Sequence, residues 1–270
     1  MRSANDTPEP AAVHERVQSQ FGPAAAAYGS SSVHSDPHAL QRVVELADPR
    51  PGDAALDIAT GAGHTALALA PRVASVVAYD LTQEMLAETR SNAVARGLAN
   101  VFTQQGPAEK LPFRDASFGV VTVRQAAHHF ADVRSAIREM ARVAKPDARV
   151  VIVDSTSPED AVLASQWNQI EKLRDPSHVW NYSASQWRAM VDEAGLRVFA
   201  EEIGFATENG GPMSFDAWTR RMNTPPEAVE ELRRLFRGAS PELAKALRIE
   251  LADHGIFFCV PVVTIAAVKE

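Results

Sequence analysis

The chain has a single cysteine, Cys259, among 270 residues. A lone thiol excludes an internal disulfide and a cysteine-built metal cluster. Nowhere does the sequence hold the roughly 20 consecutive apolar residues that a membrane span requires. Met1–Pro10 is polar and lacks the apolar core of a secretion signal. Basic residues are outnumbered, 27 against 34 acidic ones, for a net charge of −7, and they form no extended run. That balance disfavours a phosphate backbone as partner, so nucleic acid is not expected. What is present is ordinary for a globular chain: 46% hydrophobic and 23% charged residues, enough for one large domain or one domain with an added lid. A cytoplasmic protein is expected, with the oligomeric state open between monomer and homodimer.

Periodicity divides the chain into four parts. Residues 1–48 read as helical pieces broken at Gly22-Pro23 and by the Ser-rich stretch before Pro37. Residues 49–156 open on the turn signal Asp48-Pro49-Arg50-Pro51-Gly52-Asp53, after which short apolar runs alternate with amphipathic segments. Strands are expected at 54–58, 74–79, 101–104, 118–123 and 149–153, with helices between them. Alternation of this kind predicts βαβ units and a parallel sheet. The strands are apolar throughout, as when both faces are covered. Residues 157–255 read as a helical insertion from which a strand at 196–204 returns to the sheet. Residues 256–270 read as one final strand. All four tryptophans, Trp167, Trp180, Trp187 and Trp218, fall after residue 156.

The informative segment is Leu56-Asp57-Ile58-Ala59-Thr60-Gly61-Ala62-Gly63-His64-Thr65, a strand, a glycine turn and a helix start. Two glycines let a ligand approach the backbone, and a helix N-terminus presents free N–H groups. Gly61 and Gly63 also fit a dinucleotide fingerprint loosely. Asp57 argues against a pyrophosphate beside it, because a ligand ammonium has a use for that carboxylate and a phosphate does not. Asp80 ends the second strand, where a carboxylate accepts two ribose hydroxyls; alone it fits a nicotinamide cofactor equally. The bland alternative for the pair is helix capping.

Further motifs complete a pattern. Gln105-Gly106-Pro107-Ala108-Glu109-Lys110-Leu111-Pro112-Phe113 follows the third strand, and Asp115-x-Ser117-Phe118-Gly119 leads into the fourth. His128-His129-Phe130 and Glu139-x-x-Arg142-Val143-x-Lys145-Pro146 come next. Together with the glycine turn and Tyr79-Asp80, they make the chain resemble the class I S-adenosylmethionine-dependent methyltransferases, nearest the branch of ubiquinone/menaquinone-biosynthesis methyltransferases. The resemblance implies an α/β fold: a Rossmann-like doubly wound seven-stranded mixed sheet with an antiparallel last strand, plus an N-terminal helical lid and a C-terminal helical insertion.

It also implies roles. Asp57 would hold the methionine amino group, directly or through water, with Thr60, Gly61 and Gly63 passing under the methionine and ribose. Asp80 would take the ribose hydroxyls, Leu81 would lie on the adenine face, and Ala108 would offer its N–H to adenine. Arg124 would sit at the methionine end, and Tyr28 would close over the sulfonium. One departure stands out: Pro107 occupies a position where the family usually has an aspartate that accepts the adenine amino group. Either Glu109 or a backbone carbonyl replaces that contact, or adenine is held less tightly.

Methyl transfer from a sulfonium needs alignment and exclusion of water more than it needs acid–base groups. Where the acceptor keeps a proton, His129 or His128 is the candidate base, with His34, His178 and Tyr182 behind them; for each, a structural histidine or tyrosine is the alternative. The expected partner is a small, partly apolar acceptor with an O, N or C nucleophile, walled by the tryptophan-bearing region. No metal site is expected, since no carboxylate cluster follows the fourth strand. The other readings are a protein that binds S-adenosylmethionine without methyl transfer, and an NAD-dependent oxidoreductase.

Overall fold

The computed structural model describes residues 9–29, 35–206 and 210–270. Three helices come first: α1 (Pro10–Phe21), α2 (Ala25–Gly29) and α3 (Pro37–Ala47). The alternating region follows as β1 (Ala54–Ile58), α4 (His64–Leu69), β2 (Ser75–Asp80), α5 (Gln83–Ala95), β3 (Val101–Gln105), β4 (Phe118–Arg124), α6 (Val133–Val143) and β5 (Ala144–Ser155). Beyond it lie α7 (Ala161–Arg174), α8 (Ala184–Glu193) and β6 (Leu196–Ala206). The chain ends with β7 (Met213–Ser214), α9 (Phe215–Arg221), α10 (Pro226–Arg237), α11 (Pro241–Leu247), β8 (Glu250–Ala252), β9 (Gly255–Phe258) and β10 (Val260–Lys269).

Seven strands form one sheet in the order β3-β2-β1-β4-β5-β10-β6. β1 runs parallel to β2 and β4, and β10 slots antiparallel between β5 and β6. The alternation of side chains places Leu56 and Ile58 in one core and Ala55 in the other. The first core packs Ile137 and Met140 of α6 and Trp187 and Met190 of α8 on the sheet. The second packs Val43, Val44 and Leu46 of α3 with Leu69 of α4 on the opposite face. Helix starts are fixed by local chemistry: Asp132 and Asp160 cap α6 and α7, and Ser183 with Gln186 closes a capping box on α8.

Two expectations about the C-terminal part are corrected. The insertion is not purely helical: β7, β9 and β8 form a separate three-stranded sheet. The expected last strand at 256–270 breaks at Cys259, whose N–H leaves the ladder and donates to the Leu247 carbonyl at 2.7 Å. β9 therefore joins the small sheet and β10 the large one. An unbroken apolar run carries no mark of where it changes sheets. Trp167, Phe215, Trp218, Leu232, Phe236 and Phe258 fill a third core between this small sheet and its helices.

Because β1, β2, β3 and β4 are parallel, Ile58, Asp80, Gln105 and Arg124 end at one edge of the sheet. Open α/β sheets form their crevice there.

Candidate active site

The first wall of the crevice is the turn after β1. Asp57 is 1% exposed. Its Oδ2 accepts from Thr60 Oγ1 at 2.7 Å and from the Ala66 N–H at 3.1 Å, and its Oδ1 accepts from Thr122 Oγ1 at 2.7 Å. Burial pushes the carboxyl above its ordinary range, against those donors and the Arg124 charge. The turn itself is left-handed at Ala59, Gly61 and Gly63, with φ of 50°, 56° and 89°. At Gly63 a Cβ would come 2.8 Å from Thr89 Cγ2, so both space and backbone require glycine.

Asp80 ties this turn to β2. Its Oδ2 accepts the Gly61 N–H and its Oδ1 the Thr82 N–H, each at 2.8 Å. Burial raises it to about 6, opposed by these two donors. Beyond it, the Pro107 carbonyl accepts from Tyr79 Oη at 3.2 Å. Glu109 Oε1 accepts the Ala131 N–H at 2.8 Å while Oε2 faces His14 Nε2 at 3.4 Å. Glu109 is thus engaged in joining α1 to the turn before α6.

A cavity of about 970 Å³ lies against these elements. Asp57, Thr60, Gly61, Asp80 and Leu81 line it, as do Pro107, Ala108, Arg124, Tyr28 and His129. Gly63 shapes the turn behind the lining, and His128 faces elsewhere. Arg124 Nε donates to Thr65 Oγ1 at 3.2 Å.

A second cavity of about 610 Å³ shares Phe21, Tyr28, Gln125 and His129 with the first. Gln125, directly after β4, is left-handed at φ 56°, and its N–H donates to the Val153 carbonyl at 2.7 Å. Phe21 packs edge-on against both Tyr28, 5.6 Å away, and His129, 4.9 Å away. Tyr28 Oη lies 3.4 Å from Met222 Sδ, and burial drives its hydroxyl up to about 12.

The two histidines sit on one 3-10 turn, Ala127–His129, with ring centroids 4.1 Å apart. They differ in surroundings. His128 Nδ1 lies 2.5 Å from Asp154 Oδ1, and its backbone N–H donates to Asp154 Oδ2 at 2.9 Å. Burial opposes its charge, yet Asp154 outweighs burial and holds it above the ordinary range. His129 Nδ1 lies 3.2 Å from Ser177 Oγ, and Nε2 lies 3.8 Å from Asp175 Oδ2. Burial, and then the charge on His128, push His129 down to about 4.

The other sequence candidates are placed differently. His178 is buried with Nε2 2.9 Å from Asn168 Oδ1. Tyr182 packs edge-on against Trp187 at 5.7 Å in the main core. His34 lies outside the described residues. Of the four tryptophans only Trp218 lines the second cavity. Trp167 and Trp187 are buried in two different cores, so the expectation that the tryptophans wall an acceptor pocket is narrowed to one. Sequence reasoning missed Thr122, Gln125 and Asp154. Gln125 and Asp154 stand at the C-terminal ends of β4 and β5, and that position is the signal that finds them.

A sheet of this order, its one antiparallel strand between β5 and β6, with the glycine turn after β1 and an acid ending β2, defines a class I S-adenosylmethionine-dependent methyltransferase. Residues 56–152 match the family model described as a methyltransferase domain. The chain belongs to the methyltransferase family that includes YcgJ of Bacillus subtilis (strain 168), an uncharacterized methyltransferase. It is 38% identical to YcgJ over 256 residues, covering 93% of this chain and 98% of YcgJ. The crystal structure of YcgJ superposes with a TM-score of 0.80 at 39% identity, covering 86% of this chain and 98% of that one. The ubiquinone/menaquinone biosynthesis C-methyltransferase UbiE of Ectopseudomonas mendocina is 30% identical over 175 residues, covering 60% of this chain and 68% of UbiE. No described helix is long and apolar enough to cross a membrane.

Proposed function

We propose that the chain binds S-adenosylmethionine in the larger cavity and methylates a small, partly apolar acceptor held in the second. The observation that carries this reading is that the two cavities share Phe21, Tyr28, Gln125 and His129 in their linings. Ligands in the two cavities would lie on either side of these residues, which suits an in-line displacement.

The larger cavity's residues fit the cofactor. A carboxylate offers about four lone-pair sites, and Asp57 uses three on its own fold, leaving one for a ligand ammonium or a water bound to it. Arg124 beside it suits the carboxylate of the same amino-acid end. Asp80 likewise keeps acceptor capacity for ribose hydroxyls, and Leu81, Ala108 and Phe130 offer an apolar bed for adenine. Glu109 also lines the cavity and accepts only at Oε1, so its Oε2 or a backbone carbonyl takes the adenine amino group. When bound, the cofactor supplies an electrophilic methyl on a leaving group that departs neutral. Phe21 and Tyr28 present aromatic faces at the shared lining, where a cation is favoured.

The second cavity sets Met213, Trp218, Met222 and Val260 against His128, Glu171 and Arg174, which suits an acceptor that is apolar at one side and polar at the other. His129, rather than His128, is the candidate base. It lines both cavities and is neutral at pH 7, whereas the Nδ1 of His128 is committed to Asp154. A base held near 4 is weak, but the proton on a newly methylated oxonium oxygen, or on a newly methylated carbon beside a cationic centre, is acidic enough for it. The test is a screen of acceptor classes reading release of S-adenosylhomocysteine. Turnover with small amphipathic molecules is expected; turnover with RNA, DNA or protein alone would contradict the proposal.

A further inference from the structure

The Asp-Pro-Ser-His segment after α7 holds an arrangement the cofactor has no use for. Asp175 is buried, and burial opposes its charge, but the two donors of Ser177 and the Arg174 guanidinium favour its ionised form. Its Oδ1 takes the Ser177 N–H at 2.8 Å and the Ser177 Oγ–H at 2.6 Å. A serine hydroxyl has one proton. With that proton spent on Asp175, Ser177 Oγ meets His129 Nδ1, 3.2 Å away, only as an acceptor. The Nδ1 of His129 therefore carries the ring proton, and Nε2 carries the lone pair.

Resting on the methyltransferase reading above, we propose that Ser177 and Asp175 are positioning residues that fix His129 as the Nδ1–H tautomer, so that Nε2 receives a proton from the acceptor. The acceptor class follows: it bears a proton on the atom that is methylated, as an enol, a phenol or an acidic C–H does. In the step, the acceptor atom bonds the methyl carbon, and the electron pair of the sulfur–methyl bond stays on sulfur. The acceptor's proton passes to His129 Nε2. The imidazolium so formed lies 3.8 Å from Asp175 Oδ2, which draws in to pair with it. Other charged groups facing the ring are His128 with Asp154, Glu171 and Arg174 from α7, and the Tyr28 hydroxyl. His128, with Nδ1 2.5 Å from Asp154 Oδ1 and its ring 4.1 Å from that of His129, disfavours a charge on His129 before the step.

Tautomers are read directly by nitrogen NMR on the full chain with 15N-labelled histidine, the His129 signals identified by their loss in His129→Gln. At pH 7 a pyrrole-type Nδ1 and a pyridine-type Nε2 are expected. An Nε2–H tautomer or an imidazolium at pH 7 would overturn the proposal, and this reading needs no variant at Ser177. Ser177→Ala is expected to move the ring toward the Nε2–H form, while Ser177→Thr, which keeps the hydroxyl, retains the parent signals. An Ala variant indistinguishable from the parent, or a Thr variant that behaves as Ala, would overturn it too. Asp175→Asn is expected to shift protonation of His129 to still lower pH; an unchanged titration contradicts the counter-charge role. Calorimetry with S-adenosylhomocysteine on the same samples separates the two levels. Binding with a wrong tautomer overturns this proposal alone, and the right tautomer without binding overturns the reading beneath it.

Discussion

The two cavities that share His129 are built by different means. The larger one is gathered around the C-terminal ends of β1, β2, β3 and β4, and its acids, Asp57 and Asp80, are first employed by the fold. Five of their accepted hydrogen bonds hold Thr60, Ala66, Thr122, Gly61 and Thr82. The smaller one is made of side chains from α1, α2, α7, α9 and the loops around them, brought together from sequence positions 21 to 260. The first is a property of one βαβ unit and its neighbour. The second exists only once the insertion has packed. A site whose polar groups are satisfied before the ligand arrives is pre-formed, which fits a cofactor pocket that must serve every turnover. A site assembled from separate elements can change its ligand by changing a few side chains.

Substitutions and pH sharpen this division. His129→Gln should lower turnover about a hundred- to ten-thousandfold, the usual range for losing a positioned base, with cofactor affinity within about threefold. Equal loss in both would merge the two halves into one site. Asp80→Ala should weaken cofactor binding about ten- to a hundredfold, through loss of a charged acceptor. Asp80→Asn, which retains an acceptor for the Gly61 N–H, separates ligand loss from loop damage. An unchanged dissociation constant in both variants would remove Asp80 from the ribose.

The pH dependence is a finer test. His129 is depressed to about 4, so the base is already neutral at pH 6; with cofactor saturating, so that protonation of Asp80 near 6 does not limit binding, turnover should stay level from pH 8 to about 5 before falling. A fall centred near 6.5 would mean an ordinary histidine. The same depression makes acid destabilising: the unfolded chain binds that proton near 6.5 and the folded chain near 4, so stability falls across that window. The smallest effect is expected from tryptophan. Trp218→Phe should raise the KM for acceptor a few-fold, while Trp187→Phe, in the core under α8, should cost about 1–3 kcal/mol of stability and leave KM alone. The reverse pattern would place the acceptor elsewhere.

The same contrast explains what the sequence made legible. β1 at 54–58, the glycine turn, and the acids ending β1 and β2 follow from spacing, because a parallel sheet brings strand ends to one edge. Gly63 is readable for the same reason, since the left-handed turn against Thr89 tolerates no side chain. The engagement of Asp57 by Thr122 was not readable. That bond joins residues 65 apart and depends on β1 and β4 being neighbours. The His128–Asp154 and His129–Asp175 pairings are hidden likewise, which is why two adjacent histidines look equivalent in sequence and are shifted in opposite directions when folded. The tryptophans misled, because an aromatic residue in a lid reads the same whether it faces a ligand or a core. Cys259 misled as a break, because nothing in an apolar run marks a change of partner strand.

The central claim is that residues at the ends of β1, β2, β3 and β4 bind S-adenosylmethionine and that His129, which lines both cavities, serves the acceptor and does not hold the cofactor. Isothermal calorimetry with S-adenosylmethionine on the parent chain, Asp80→Asn and His129→Gln tests it most directly. The account predicts one site per parent chain, affinity lowered in Asp80→Asn, and affinity within about threefold of the parent in His129→Gln. Binding of NAD with none of S-adenosylmethionine, or loss of S-adenosylmethionine in His129→Gln with Asp80→Asn unaffected, would contradict it.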